Sequence, residues 1–572
     1  MIIAVLFFIF ISLALVVALA SPALSHLRVS SALLSSLEAF SAAEAGMEDA
    51  VYRFRWGMNV PNPIEIEVGG ASAEVVHDID EMVEIISEGV ASGDSIRRSR
   101  TLLDVGEGFA FNYGIQVGTG GFEIRNATVF GNVFGIGNVV GTHSGSTVTG
   151  SAFAANRPEE DPNVRNDHPP SPEGFITFGN QDATQDIAQS FTVSADGVLS
   201  KIEVYIRKVG SPRGLTVYVV ENDPVLNEPS TEVVGQSAVR AGWVTDQYGW
   251  VEMYFPSTTF MEAGELYWIV LAATPDPGRY YQWGTNDASY PGNPTLGIYG
   301  VEWSEVNVHD AYFRVYLEGE KSFVDNLNVG EDGAGDAWAY EVRNSDVEAD
   351  ILCQIGSGNN KPCDDSGPDP DPREYPVSPG NIIQWKADAE DGGVIEGNYV
   401  ADNNSTLGPV KIDGDLTLEE NNSTLTLTGT VWVTGNITLP NGSTVALDPS
   451  YGKGSGLLIA DGFVHLENNI NFVGSGDEES FIMLLTTSDC PASDYCNGEQ
   501  AISVRNNAGA VILNAQNGTV HFNNNAGAKE ATAHRIVMEN NSEVEYESGL
   551  ADVNFVSGPG GGYVITEWIE IE

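Results

Sequence analysis

The sequence predicts a mainly β protein that begins with one long α-helix. Residues 1–54 combine an uncharged apolar run with a helical pattern, and after Gly57 the apolar period changes to two. From near residue 110 onwards, short apolar-x-apolar phrases recur between glycine and asparagine corners. The predicted fold class is a long N-terminal transmembrane and amphipathic α-helix with a small β-meander, then a parallel β-helix (solenoid) interrupted by an inserted β-sandwich.

The helix starts in a segment suited to a membrane. Residues 1–25 contain no charged side chain, and at 1.5 Å per residue they just span a hydrocarbon core of about 30 Å. A cleaved signal peptide is the alternative, because Ala18-Leu19-Ala20 has the form of a cleavage site, but the basic segment that should precede it is missing. An amphipathic helix continues directly with Leu27, Leu34, Leu37, Phe40, Met47, Val51 and Phe54. We therefore expect a retained anchor at 1–25, a single pass through the cytoplasmic membrane, and the bulk of the chain at the cell surface.

The N-terminal helix resembles that of type IV pilin-like proteins, in particular minor pilins. The resemblance lies in a proline within the apolar half and in the phrase Ala39-Phe40-Ser41-Ala42-Ala43-Glu44-Ala45-Gly46; the motif residues are Pro22, Phe40, Ala43, Glu44, Ala45 and Gly46. It implies membrane anchoring, insertion into a pilus-like assembly, and a head in which residues 26–105 form the helix and a strand meander. Pilins have a glutamate where this chain has Val5, and a basic leader ending in glycine before phenylalanine. Either the reading frame starts further upstream, or the helix is a permanent anchor.

The C-terminal third carries a repeat. Phrases such as Val410-Lys411-Ile412 and Leu416-Thr417-Leu418 alternate apolar and polar residues, and Asn-Asn pairs recur 17 or 18 residues apart. Asparagine tolerates the left-handed conformation of a sharp corner, and stacked asparagines can form side-chain ladders. Asn-x-Ser/Thr sequons in this region suit turns or glycosylation. Similar phrases at 124–154 predict that the β-helix starts near residue 110 and resumes after an insertion.

The predicted insertion has short strands separated by turn signals. It resembles carbohydrate-binding-like sandwich modules of bacterial surface proteins, in the phrases Gln189-Ser190-Phe191-Thr192-Val193 and Tyr267-Trp268-Ile269-Val270-Leu271. Tyr280, Tyr281, Trp283 and Trp303 form a sugar-stacking platform if they share one exposed face. The alternative, which we favour, is that strand alternation directs Tyr281 and Trp283 into the core together.

The charge limits the partners. With 80 Asp and Glu against 26 Lys and Arg, the formal charge is −54, which argues against nucleic-acid binding. The favoured explanation of this charge is solubility. The alternative explanation is that carboxylate-rich loops bind calcium, with Asp325-Asn326 and Glu331-Asp332-Gly333 as candidates. No cofactor is otherwise expected.

The four cysteines form two local pairs, Cys353 with Cys363 and Cys490 with Cys496. Short loops of this kind in an exported protein favour disulfides. Zinc is the alternative, but Cys-x-x-Cys spacing and a histidine cluster are both missing from the sequence.

These patterns divide the chain into eight segments. They are a transmembrane segment (1–25), a pilin-like helix and meander (26–105), the first part of the β-helix (106–156), a linker (157–188), a jelly-roll sandwich (189–320), a return to the β-helix (321–363), an Asp/Pro-rich spacer (364–380) and the main β-helix (381–572).

The organisation predicts a membrane-anchored, pilin-like structural or adhesive protein that contacts surfaces, glycans or partner proteins. One alternative is a bactofilin-like scaffold that self-associates through its β-helix. A second is a carbohydrate-active β-helix enzyme, for which the candidates are the scattered residues Asp461, His465, His521, His534 and Arg535. We do not expect an enzyme, and we assign no catalytic residue.

Overall fold

The structure is a computed structural model of the chain. It describes residues 29–51, 61–79, 82–92, 95–105, 111–167, 172–286, 290–292, 294–306, 309–490, 498–509, 512–547, 550, 553, 555 and 563–571. The chain divides into two compact units, the first made of Met1–Gly108 with Pro559–Glu572 and the second of Phe109–Gly558. A mainly β fold with an N-terminal helix is confirmed.

The first unit consists of a helix and an antiparallel sheet. Its elements are α1 (29–51), β1 (Ile64–Val68), β2 (Ala71–Ile79), β3 (Met82–Ala91), β4 (Ser95–Val105) and β50 (Tyr563–Ile571). The sheet order is β1-β2-β3-β4-β50, and β50 pairs antiparallel with β4. Along the chain, the whole second unit is therefore inserted between β4 and β50, which are paired neighbours in this sheet.

The second unit contains many short strands that pair in parallel; they are called here the parallel stack. Its first segment has β5 (Ile115–Arg125), β6 (Thr128–Phe130), β7 (Val133–Ile136), β8 (Val139–Gly141), β9 (Thr147–Val148), β10 (Ala152–Ala155), β25 (Phe323–Asp325), β26 (Asn328–Val329), β27 (Ala337–Ala339), β28 (Glu341–Arg343), β29 (Asp346–Val347), β30 (Ile351–Leu352) and β31 (Ile355–Ser357). Its second segment has β32 (Val394–Glu396), β33 (Tyr399–Ala401), β34 (Ser405–Leu407), β35 (Val410–Asp413), β36 (Leu416–Leu418), β37 (Thr424–Leu427), β38 (Val431–Val433), β39 (Ile437–Leu439), β40 (Thr444–Leu447), β41 (Gly456–Ala460), β42 (Val464–Leu466), β43 (Asn471–Val473), β44 (Ile482–Thr486), β45 (Ile502–Val504), β46 (Ile512–Phe522), β47 (Gly527–Ala528), β48 (Glu530–Glu539) and β49 (Glu543–Glu545).

The two segments stack in the reverse of their chain order. β48, near the end of the second segment, pairs in parallel with β46 on one side and with β5, the start of the first segment, on the other. From this seam the first segment continues through β7, β10, β27 and β30. One apolar core runs through both segments, and it includes Ile115, Leu425 and Ile536.

Asparagines form the corners, as the sequence predicts. Asn422, Asn469, Asn507 and Asn541 have positive φ, and so do further corner asparagines. Side-chain amides hydrogen-bond from one turn to the next: Asn126 to Asn541 (3.0 Å), Asn540 to Asn524 (2.9 Å), Asn506 to Asn468 (2.8 Å) and Asn468 to Asn441 (2.7 Å). These ladders satisfy polar groups that the corners would otherwise leave without partners.

An extended segment, the strap (residues 366–378), returns along the stack. Side chains from four different turns donate hydrogen bonds to its carbonyl oxygens: Gln354 to Gly367 (2.9 Å), Trp338 to Pro368 (2.9 Å), Gln116 to Glu374 (2.8 Å) and Gln516 to Val377 (2.7 Å). The Asp-Pro repeats favour this extended conformation. The predicted spacer thus brings the chain from the end of the first segment towards the start of the second.

The strap leads into helix α2 (Pro379–Asp391), which begins at a capping box made by Ser378 and Asn381. Trp385 of α2 belongs to a buried apolar cluster with Leu457, Ile459 and Met483 on the outer side of the stack. Three short 3-10 helices are also present, at Asp182–Thr184, Ala241–Trp243 and Pro449–Tyr451.

Two antiparallel sheets between the two parts of the first segment form the insert (residues 164–317). Its strands are β11 (Val164–Asn166), β12 (Gly174–Phe178), β13 (Asp186–Thr192), β14 (Gly197–Val209), β15 (Leu215–Asp223), β16 (Glu228–Val239), β17 (Gly249–Tyr254), β18 (Phe260–Met261), β19 (Leu266–Ala272), β20 (Tyr280–Asn286), β21 (Pro294–Ile298), β22 (Glu302–Glu305), β23 (Asp310–Ala311) and β24 (Phe313–Leu317). The sheets enclose one apolar core. The segment 157–188, predicted to be a linker, carries β11 and β12. Both strands pair at the edges of one sheet and therefore belong to the insert.

The end of the first segment is closed by a disulfide between Cys353 and Cys363. Within this loop, Asn359 Nδ2 donates to the Val342 carbonyl (2.7 Å) and Lys361 Nζ donates to the Ala349 carbonyl (2.7 Å). Cys490 is also disulfide-bonded, and Cys496 lies outside the described residues. The predicted disulfide at 353 and 363 is therefore present.

We expect the double change of Cys353 and Cys363 to serine to lower the free energy of unfolding of the second unit by about 2–4 kcal/mol. The closed loop spans a sequence separation of 10, and opening it restores chain entropy to the unfolded state. Urea unfolding of the full chain measures the effect. Lys361→Met, which keeps the disulfide, is the control, and its expected cost is about 1 kcal/mol. Equal midpoints for the double variant and the parent would contradict the prediction.

The predicted transmembrane segment, 1–25, lies outside the described residues. Among the helices that the structure does describe, none combines the length and apolar character needed to cross a membrane.

Candidate functional site

The Ala-Glu-Ala-Gly motif of α1 lies against the sheet of the first unit. Ala39, Ala42 and Ala43 are fully buried. A Cβ atom at Gly46 would lie 2.6 Å from Ser87 Oγ, and one at Gly89 of β3 would lie 1.9 Å from the Ala39 carbonyl oxygen. Small residues at these positions therefore allow a close approach of helix and sheet. Phe40 and Ala45 are half-buried, and Pro22 lies outside the described residues.

Glu44 connects the helix to the edge of the sheet. Its Oε1 accepts a hydrogen bond from the Ser99 hydroxyl of β4 (2.5 Å) and one from Trp568 Nε1 of β50 (3.4 Å). Because β50 follows the inserted second unit, this glutamate links α1 to both strands that flank the insertion.

The N-terminal part of α1 exposes a second, apolar face, called here the stripe (Val29, Leu33, Leu34 and Leu37). These side chains are 54–66% exposed, and the centre of the stripe lies about 150° around the helix axis from the centre of the buried Ala39, Ala42 and Ala43. The sheet of the first unit therefore does not cover the stripe. Exposed apolar side chains clustered on one face are typical of an interaction surface.

The structure places Tyr281 and Trp283 in the core, as the favoured alternative expects, so the sugar platform does not form around its two central residues. Tyr281 is 1% exposed and Trp283 is 0% exposed, since strand alternation places both in the core of the insert. Each is hydrogen-bonded there, Tyr281 to the Arg213 carbonyl and Trp283 to the Tyr312 carbonyl. The half-buried Tyr280 and Trp303 lie on different sheets of the insert, so the four residues share no common face.

A different set of aromatic side chains lies together on the outer side of one sheet, and it is called here the aromatic face (Tyr205, Tyr248 and Trp250). All three are half-buried. The Tyr205 ring stacks on Tyr248 at a centroid distance of 5.7 Å and lies 5.2 Å from Trp250. Arg207 lies over the Tyr248 ring, and its Nε donates to Gln282 Oε1 (2.8 Å).

The sequence contained a signal for this face. In β14, Ile202, Val204 and Ile206 are buried, so the alternating Tyr205 and Arg207 point to the other side of the sheet. The aromatic phrase at 280–283 is the denser one in the sequence, but its central residues belong to the core.

Charged side chains of β14 and β24 form ion pairs next to the aromatic face. Glu203 bonds Lys201 Nζ (2.7 Å) and Arg314 Nη1 (3.0 Å), and the Arg314 guanidinium lies 3.9 Å from the centre of the Trp250 ring. Burial raises the pKa of Glu203, but Lys201 and Arg314 outweigh it, so the pKa is lowered overall. The network therefore holds an ionised carboxylate beneath the aromatic face.

Glu374 of the strap lies where the strap contacts the insert. Burial raises its pKa, Arg240 of the insert lowers it and Glu252 of the insert raises it, and together they bring the pKa to about 7. Its neighbour Tyr375 donates a hydrogen bond to the Ala533 carbonyl of the parallel stack (3.3 Å). The carboxyl of Glu374 therefore lies in a junction that disfavours its charge.

We expect Glu374→Gln to stabilise the second unit by about 1–3 kcal/mol at pH 8 and to leave its stability nearly unchanged at pH 4. Between pH 4.5 and about 7 the folded state keeps a proton that the unfolded state releases, so stability falls as pH rises through this window. Above it the folded state holds a buried charge. Urea unfolding of parent and variant at both pH values measures this difference, and equal stability at pH 8 would contradict the prediction.

The five residues considered for the enzyme alternative do not meet in one place. Asp461 bonds Lys386 Nζ, Trp432 Nε1 and the Thr487 hydroxyl. The other partners are Glu499 for His465 (2.6 Å), Glu539 for His521 (3.5 Å) and Glu123 for Arg535 (3.1 Å).

The strand register shows which of the candidate histidines lie close to each other. His465, Ser503 and His521 occupy matching positions on β42, β45 and β46. On the next strand, β48, His521 pairs with Val537, and His534 lies where the register of β48 is irregular, so the two histidines are on neighbouring strands but not at matching positions. The pKa of His534 is lowered, mainly by burial and to a smaller extent by the positive charges of Arg157 and Arg535.

The calcium loops remain an expectation. Asp325 bonds Arg343 (3.0 Å), and Asn326 forms a corner with positive φ. In the described parts of the chain, no group of three or more His, Cys, Asp or Glu side chains is arranged to hold a metal ion.

Comparison with known proteins does not assign a family. No protein-family model matches the chain, and no curated protein matches it. Among solved structures, the chain is similar to the competence-associated pilin ComZ from Thermus thermophilus, with 10% sequence identity over 94% of this chain and 97% of that chain, and with a TM-score of 0.19. At this score the similarity carries no argument about fold or function.

Proposed function

We propose that this protein is a membrane-anchored, pilin-like structural protein of the cell surface, whose α1 inserts into a pilus-like assembly and whose second unit is displayed outwards. The observation that carries the proposal is that α1 has two different faces. One face packs small residues on the sheet, while the stripe leaves four large apolar side chains exposed. Apolar side chains on a solvated helix gain free energy by entering lipid or a bundle of similar helices.

We further propose that the parallel stack forms a parallel β-helix that acts as a stiff support. Successive turns pair in parallel, asparagine ladders follow the corners, and the strap binds several turns at once. A body of this kind holds the insert at a fixed position without a flexible linker.

The contact function is proposed for the aromatic face of the insert. Tyr205 and Trp250 offer ring surfaces, and Arg207 and Gln282 offer hydrogen-bonding groups at their edge. Such a combination is suited to sugar rings, which stack on aromatic faces and hydrogen-bond at their edges. Trp250→Ala is expected to reduce retention on a glycan array, whereas Phe260→Ala, at an exposed residue elsewhere on the insert, is expected to have no effect.

Surface location can be tested by adding protease to intact cells that express the full chain. We expect the second unit to be digested while a fragment containing the N-terminal helix stays in the membrane fraction. A cytoplasmic protein serves as the internal control for cell integrity. Full protection of the second unit in intact cells, with digestion after lysis, would contradict the proposed location.

A further inference from the structure

The two ends of the parallel stack differ in how their strand edges are completed. At the end of the first segment, the disulfide loop covers the last turns: Asn359 Oδ1 accepts from the Ser345 amide (3.0 Å), Asn360 Oδ1 accepts from the Val347 amide (3.1 Å), and the Asp364 amide bonds the Ile351 carbonyl (2.7 Å). Side chains and a covalent loop therefore cover the edges of β29 and β30, while β31 pairs with β28 alone within the described residues.

The other end, called here the open edge (residues 394–401), lies at the start of the second segment. Its strands β32 and β33 each pair with one strand, β35 and β36 respectively, and within the described residues no strand pairs on their other side. The Tyr399 amide bonds the Asp415 carbonyl, and the Ala401 carbonyl accepts from the Glu419 amide. By the alternation of a parallel ladder, the backbone groups of Val400 then point away from the stack.

The open edge is also apolar at its surface. Val400 is 55% exposed and Val394 is 46% exposed. Ile395 and Tyr399, which point into the core, are only partly buried. An uncovered strand edge with exposed apolar side chains is a template for the addition of another strand.

Charge selects among the strands that could be added. Asp391, Glu396 and Asp402 around the open edge are exposed, and Lys411 nearby is already paired with Glu390 (3.0 Å). A second copy of this chain would place the same carboxylates opposite each other, which disfavours pairing. At the disulfide end only β31 is left uncovered, so head-to-tail growth by a second copy would find one free strand edge there, against two at the open edge.

We propose that the open edge binds an extended, lysine- or arginine-containing segment of another protein by β-strand addition. Backbone hydrogen bonds to Val394 and Val400 supply the pairing, and Glu396 and Asp402 receive the basic side chains. The open edge is a third interaction surface, distinct from the stripe and from the aromatic face.

The test uses two substitutions at Val400 in the full chain. Val400→Pro removes an outward amide at an edge position, where proline is tolerated, and Val400→Ala keeps the amide but shortens the side chain. The probe is a fluorescent peptide of about eight residues that alternates valine and lysine, compared with a valine-glutamate analogue. Fluorescence anisotropy measures the affinity, and urea unfolding shows whether both variants retain the parent's stability.

We expect the lysine peptide to bind the parent chain and to bind Val400→Pro about tenfold more weakly or worse, with a loss below about threefold in Val400→Ala. The glutamate peptide should not bind. Equal binding to the parent and Val400→Pro, or equal binding of the two peptides, would overturn the proposal. A concentration-dependent dimer of the parent that Val400→Pro abolishes would identify a second copy as the occupant and would also overturn it.

Discussion

Replacing Gly89 with alanine is expected to destabilise the first unit by about 1–3 kcal/mol or more. The added Cβ would lie 1.9 Å from the Ala39 carbonyl oxygen and 2.6 Å from the Ala43 amide nitrogen. Both atoms belong to the backbone of α1, so the helix itself must move away from β3. This separation would disturb the packing of the motif residues Ala43 and Gly46 as well.

Hydrogen exchange of the α1 and β3 amides in the full chain measures this effect, because it reports opening of one unit while the other stays folded. Gly249→Ala is the matched control, since a Cβ there has open space within 4 Å. Unchanged exchange of residues 39–51 in Gly89→Ala would show that helix and sheet do not approach as closely as described.

Ile536→Ala is expected to cost the second unit about 2–5 kcal/mol. Ile536 is fully buried in β48, where its register partners are Val520 on one side and Phe122 on the other. The cavity would therefore lie at the seam that joins the two segments of the parallel stack. Because one apolar core spans both segments, we expect a single unfolding transition to shift as a whole.

The control for this change lies on the adjacent residue. Arg535 is exposed and pairs with Glu123 across the seam at 3.1 Å. Exposed ion pairs contribute about 0–1 kcal/mol, so Arg535→Ala should change the urea midpoint little. Two separate transitions, with only one sensitive to Ile536→Ala, would mean that the seam does not join the segments into one core.

The sequence predicted the local parts of this fold well. Phrases such as Val431-Trp432-Val433 alternate buried, half-buried and buried residues in the structure, and the corner asparagines have the predicted backbone conformation. These features depend on near neighbours, so periodicity and turn chemistry determine them.

Long-range order was not predictable in the same way. Pairing of β48 with β5, and of β50 with β4, joins residues that are hundreds of positions apart. Every turn of the stack presents similar apolar and polar positions, so the pattern alone does not indicate which turn stacks on which. The strap was readable as extended, but its path along the stack depends on single side chains such as Gln116 and Gln516.

In the candidate site, strand alternation predicts which way a side chain points but not which side chains lie beside it. For Tyr281 and Trp283, strand alternation argued for the core, and the structure places them there. The same alternation, applied to β14, indicates that Tyr205 faces outwards. What alternation cannot supply is the neighbouring strand, because Tyr205 meets Trp250 only through the pairing of β14 with β17.

Recovery of the full-length chain in sheared surface fibres tests the central claim most directly. The parent should appear in the fibre fraction, and Leu33→Glu should be absent from it while staying in the membrane fraction, because a charge on the stripe opposes its burial. Ala32→Glu, which adds the same charge beside the stripe, should behave like the parent. Equal recovery of Leu33→Glu and the parent in fibres, or absence of the parent from fibres that the cells do make, would contradict the pilin-like assembly proposed for α1.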